Sequence, residues 1–161
     1  MDKKKKITKE DIKSFQRYLI DSPLCIGELI ESLGEEGKKL DFTPESLKFI
    51  DTLLKEKIKK VDPIRRWEEL DKPGPELTQE EKWLIVRLAY YLAEVLIQNL
   101  GAEWDIEKRS SHAQFKRAVL RIKNMLNGVD TQRAIFATGR NPNAKSLYDW
   151  YSRNFIEKKP K

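Results

Sequence analysis

The chain has 161 residues, of which 39% are hydrophobic and 36% charged, with a formal net charge of +6 and one cysteine. That length suits one domain with one core, and the apolar content is too high for a disordered chain. A single thiol, Cys25, excludes an internal disulfide framework.

The longest apolar stretch, Trp83 to Ile97, is broken by Arg87 and Glu94 and is too short to span a bilayer. No apolar run follows the basic start Lys3 to Lys6, so it does not read as a signal peptide, and a cytoplasmic location is expected. The charge is unevenly placed. Residues 2–6 hold +3 and residues 157–161 hold +2, which marks 1–6 and 157–161 as basic tails around a globular domain, 7–156. Within it, residues 7–106 carry 15 basic and 21 acidic side chains, and residues 107–156 carry 10 basic and 3 acidic. The body is thus polarised, although its total is only +1.

Thr8-Lys9-Glu10-Asp11 has the form of a helix start, with a threonine cap and acidic residues in the first turn. Ile7 and Ile12 suit a hydrophobic staple, and Ile12, Phe15 and Leu19 fall on one face. Asp21-Ser22-Pro23 predicts a break, with Ser22 capping a second helix through Ile26, Leu29, Ile30 and Leu33 that ends at Gly34. Thr43-Pro44-Glu45 opens a third helix lined by Leu47, Ile50, Leu54 and Ile58. Residues 61–77, rich in proline, read as a connecting loop pinned by Trp67.

Thr78 and Glu81 form a capping box, and the helix they open runs to Leu100 with Gly101 as its terminator. It is apolar on nearly every face, which predicts a central helix covered by the others. Glu103 to Glu107 alternates with period two and predicts a strand. Ala118 to Lys123 partly alternates and suits its hairpin partner, the alternative being a helix from Phe115 to Leu126. Asn127-Gly128 reads as a turn, Val129 to Thr138 as a short helix ended by Gly139, and Asn141-Pro142-Asn143 as a loop. Ser146 caps a final helix that buries Leu147, Trp150, Tyr151 and Phe155. The expected fold is α+β and predominantly helical: helices around a long central one, 78–100, with a small hairpin of 103–107 and 118–123.

Three segments, Leu40-Asp41-Phe42-Thr43-Pro44-Glu45-Ser46-Leu47, Leu92 to Trp104 and Ser146-Leu147-Tyr148-Asp149-Trp150-Tyr151, carry a resemblance. Together they resemble a loose group of small, largely uncharacterised bacterial proteins. These combine a Thr-Pro-Glu-Ser-Leu helix start, a long helix with Leu-Gly-Glu, a Gly-Gly-x-Trp strand entry and a closing Ser-Leu helix. Some members sit beside secreted toxin genes, as immunity proteins would. The similarity spans roughly residues 40–155. Ala93 and Ala102 stand where the group has glycine. The resemblance implies a binding protein of the toxin-immunity kind, without an enzymatic activity.

The sequence has no metal-ligand spacing, no glycine-rich phosphate loop and no nucleotide fingerprint, so neither metal nor cofactor is expected. His112, in Arg109-Ser110-Ser111-His112, reads as a loop histidine, since a neighbouring serine does not make a triad. Cys25, near the expected second helix start, reads as a packed thiol, with a dipole-activated one as the alternative. Glu94, in an all-round apolar helix, needs a partner if buried. It reads as a structural charge, buried or half-buried, paired with a basic residue of the second half such as Arg121 or Arg133; a general base in a pocket and simple exposure are the alternatives.

The basic cluster Lys108, Arg109, Lys116, Arg117, Arg121 and Lys123 is the binding candidate. It has three readings: pairing with the acidic half of its own chain, meeting a protein partner, or meeting phosphates of a nucleic acid or other anion. No aromatic stacking motif of the RNA-binding type supports the last. The expectation is a non-enzymatic protein-interaction domain of unspecified oligomeric state that acts by binding and occlusion, without membrane contact. An anion- or nucleic-acid-binding module is the alternative.

Overall fold

The computed structural model describes residues 6–58, 77–112, 114–140 and 144–156. Most of the expected 61–77 loop with Trp67, the 141–143 loop and all but Lys6 of the tails lie outside them. The fold is α+β and mostly helical, with one two-stranded antiparallel sheet. Among the described residues, no helix is long and apolar enough to cross a membrane.

The first helix, α1, runs unbroken over Lys9–Ser32 with Pro23 inside it, so the two expected helices are one. An interior proline lacks the N–H for its helical bond and crowds the carbonyl four residues back. Continuous burial on both sides of Pro23 offsets that: Phe15 and Tyr18 before it and Ile26 and Leu29 after it share one inward face with Ser22. Ile12 is not on that face and is 44% exposed. Thr8 and Asp11 close a capping box at the start, and left-handed Gly34 follows the last turn.

After a 3₁₀ turn over Gly34–Lys39, Phe42 adopts φ 64°, an unfavourable conformation for an aromatic residue. Tyr91 of the central helix holds it there. The Phe42 N–H donates to the Tyr91 hydroxyl at 2.9 Å, the Ser46 hydroxyl lies 2.7 Å from the same oxygen, and the two rings stack at 5.0 Å. Asn99 donates to the Phe42 carbonyl at 2.8 Å. Burial raises the pKa of the Tyr91 phenol, which stays protonated and able to donate. Tyr91→Phe is expected to cost about 1–3 kcal/mol, because it leaves the Phe42 N–H without its partner and removes one of the two bonds of the buried Ser46 hydroxyl, which keeps the Thr43 carbonyl. The check is a urea titration, in which the midpoint falls and the slope stays constant.

Thr43 caps a 3₁₀ turn, Pro44–Ser46, that leads into α2, Leu47–Lys57. Leu47, Ile50, Leu54 and Ile58 are all buried, as their spacing predicts. Helix α3 spans Gln79–Leu100 between the Thr78/Glu81 capping box and left-handed Gly101. It buries eleven of its residues, from Glu81 to Leu96, and is the spine of the core. Strand β1, Glu103–Ile106, pairs antiparallel with β2, Ala118–Arg121. Val129 adds a bridge to Leu120. Trp104 meets Tyr18 edge-on at 5.4 Å, which fastens the hairpin to α1.

Helix α4 is Thr131–Arg140, and Gly139 lies inside it rather than ending it. A Cβ at Gly139 would stand 3.2 Å from Leu54 and 3.3 Å from Ile58, so the glycine is spent on close packing with α2. Ser146 caps α5, Leu147–Tyr151, which passes into a π-helical turn, Ser152–Ile156. Asp51 of α2 accepts the Leu147 and Tyr148 N–H groups at 2.7 and 3.2 Å, docking this last segment onto α2.

Candidate functional site

The charges of the hairpin end converge on a residue the sequence reading passed over. Glu107 follows β1 and is fully buried at 0% exposure. Its backbone extends the hairpin by one step: its N–H donates to the Arg117 carbonyl at 3.0 Å and its carbonyl accepts from Lys116 at 2.9 Å. Its carboxylate is clamped from two sides. The Arg109 Nε donates to Oε1 at 2.9 Å, its Nη2 to Oε2 at 3.1 Å, and the Arg109 backbone N–H adds a bond at 3.0 Å. Arg121 Nη2 donates to Oε2 at 3.1 Å, while its Nε reaches Asp105 at 3.0 Å. The Arg109 hydrogen bond foremost, against the cost of burial, holds the Glu107 carboxyl down to about 2. Glu107 is therefore an anion that closes the base of the loop it precedes.

Two more cations of the cluster are paired. Lys116 lies 3.4 Å from Asp11 on α1, and Arg117 Nε lies 2.6 Å from buried Asp130. Asp130 also accepts the Arg133 N–H at the start of α4. Four of the six candidate cations thus face carboxylates of their own chain, two of which, Asp11 and Asp105, belong to its acidic half. Lys108 and Lys123 are exposed and point the remaining positive charge outward. The loop between them and the hairpin base exposes Arg109, Ser110 and Ser111. His112 takes part in a local turn, its Nδ1 accepting the Gln114 N–H at 3.1 Å.

Between this loop and α1 lies a cleft of about 270 Å³, lined by Asp11, Phe15, Tyr18, Lys116, Arg117 and Asp130 among others. Its two cations and two carboxylates balance. Burial pushes the Tyr18 phenol up to about 12, so it stays protonated at neutral pH.

Glu94 is half-buried, and its Oε1 accepts from Gln98 at 3.1 Å on the same helix. Arg121 is engaged at the hairpin instead. The helical period puts Arg87, Glu94 and Gln98 on one narrow stripe of α3 that the other described elements cover only in part. Arg87 uses that stripe to reach Glu28 of α1 at 2.7 Å, and it stacks over Trp83. Cys25 is in the interior of continuous α1 and not at a helix start, and burial raises its thiol pKa. No group of three or more potential metal ligands occurs among the described residues.

Compared with known proteins, the chain matches no family model, no curated sequence and no solved structure.

Proposed function

We propose that the chain is a protein-binding domain that presents Lys108, the exposed loop residues Arg109, Ser110 and Ser111, and Lys123 to an acidic partner. The observation that supports this is the clamp on Glu107. Two arginines that could have met a ligand's phosphates are spent on fixing the loop before any partner arrives, and a loop ordered in advance loses less entropy on binding. The internal pairing of four cations also weighs against a phosphate-binding surface, which depends on free positive charge. The resemblance to bacterial proteins beside toxin genes gives the reading its concrete form: a cytoplasmic immunity protein that occludes a toxin, without catalysis.

The test compares the tagged protein with the double variant K108E/K123E in lysate of the source cell, with and without nuclease treatment. Both lysines are exposed, so the fold should be unaffected. One stoichiometric protein retained by the parent and lost by the variant is the expected result. Recovery of nucleic acid alone, steeply lost as salt rises, would transfer the assignment to phosphate binding.

A further inference from the structure

The outward face of α1 carries a pattern that burial within the chain does not explain. Ile20 and Leu24 are 69% and 65% exposed, one turn apart at the middle of a 24-residue helix. They belong to a longer outward series, Lys13, Arg17, Ile20, Leu24, Gly27 and Glu31, all exposed. Its spacings are 4, 3, 4, 3 and 4, the alternation by which one helix seats its side chains along another. The series lies opposite the inward face of Tyr18, Ser22 and Leu29, so it is a second seam that none of the described residues occupies.

The series also reads the same from either end. Ile20 and Leu24 stand symmetrically about position 22, as do Arg17 and Gly27, and Lys13 and Glu31. Charge follows the symmetry in the complementary sense: cations on the first half, a carboxylate on the second. Laid antiparallel on itself, the seam sets Ile20 against the other copy's Leu24 and Lys13 against its Glu31. Laid parallel, it would set lysine against lysine and glutamate against glutamate. A face complementary to itself under a two-fold rotation is what an isologous dimer requires. Lys13 is free to take part, since its contact with Glu10 is long at 3.8 Å and solvent-exposed. Gly27, where an added Cβ would meet none of the described residues within 4 Å, leaves room for a second backbone to approach.

We propose that α1 binds the same face of a second copy of this chain, antiparallel, with Ile20 and Leu24 at the centre and Lys13 opposite Glu31. This surface lies across α1 from the Asp11 contact with the hairpin loop, so the dimer would leave both loops accessible.

Sedimentation velocity on the full chain over a concentration series tests this. A seam one helix long makes a small interface, so a dimer appearing at tens of micromolar and above is expected. The apparent mass then rises from 19.0 kDa toward twice that value. Leu24→Lys, K13E and E31K should each weaken association at least about tenfold. The double exchange K13E/E31K should restore it, because the pair is remade with its signs reversed. All three positions changed in these four variants are exposed, and unchanged circular dichroism confirms the fold. A parent chain that stays monomeric across the series overturns the proposal. So does a dimer that K13E and E31K leave intact, or one that the double exchange fails to restore.

Discussion

Leu88→Ala is expected to lower the unfolding free energy by about 2–5 kcal/mol, enough to unfold a marginally stable domain outright. Leu88 is 0% exposed on α3 and sits in the single buried cluster that joins α1, α2, α3 and the hairpin. Deleting its branched end removes apolar area from the core and leaves a cavity that packed helices cannot fully close. Urea denaturation followed by circular dichroism gives the number. A loss below about 1 kcal/mol would mean that the site collapses freely and that α3 is not the spine of the core. Leu126→Ala is the natural control: Leu126 is 89% exposed and should change stability by no more than about 0.5 kcal/mol.

The primacy of α3 was legible because its signals are local. Thr78 and Glu81, three residues apart, can cap only one kind of helix end, and Gly101 is the residue that takes a left-handed terminus without strain. The same holds for Ser146, and for the period-two alternation that marks β1. Pro23 and Gly139 misled for one physical reason. Both act as helix breakers in isolation, but here burial beyond them exceeds the local cost: Ile26 and Leu29 anchor α1 past its proline, and Leu54 and Ile58 close over the bare glycine. Such gains come from residues distant in sequence, which no window of propensities contains.

The two carboxylates at issue divide along the same line. Glu94 drew notice because its neighbours are apolar, yet an apolar-looking helix still has one stripe that is only partly covered, and Glu94 is on it. Glu107 drew none, because period-two alternation puts it on the outward face with Glu103 and Asp105. One signal was present. Antiparallel pairing sets Glu103 opposite Arg121 and Glu107 opposite Arg117, with Asp105 between them opposite Val119, so that opposite charges meet across the two strands. Reading it required the register, and the register was known only once Trp104 was paired with Leu120. For the basic cluster, pairing within its own chain was one of the readings open to it, and four of its six cations take it.

Glu107→Gln is expected to cost about 1.5–3 kcal/mol near neutral pH and to remove a characteristic acid dependence. Glutamine keeps the size of the side chain but puts an amide where charge-assisted bonds from Arg109 and Arg121 now converge. The sign of the pH effect follows from the depressed pKa. Folding holds the carboxyl at about 2 against an ordinary value of 4.5, so the folded state binds its proton later than the unfolded one. Its stabilisation is complete above about 4.5 and is lost as pH falls from there toward about 2. Asp51 works in the opposite sense, since burial raises its pKa, but it is common to parent and variant and cancels in their difference. The difference in unfolding free energy between the two proteins should thus be constant from neutral pH down to about 5 and shrink below it. A difference that stays flat to pH 3 would show that the Glu107 charge does not hold the hairpin base. If the clamp is what orders the loop, the Gln variant should also speed amide exchange at Arg109 and Lys116, whose N–H groups bond to Glu107, while leaving the α3 amides protected. Uniform loss of protection across α3 would instead mean that Glu107 supports the whole fold. Loss confined to residues 107–117 would tie the buried carboxylate to the conformation of the loop that it precedes.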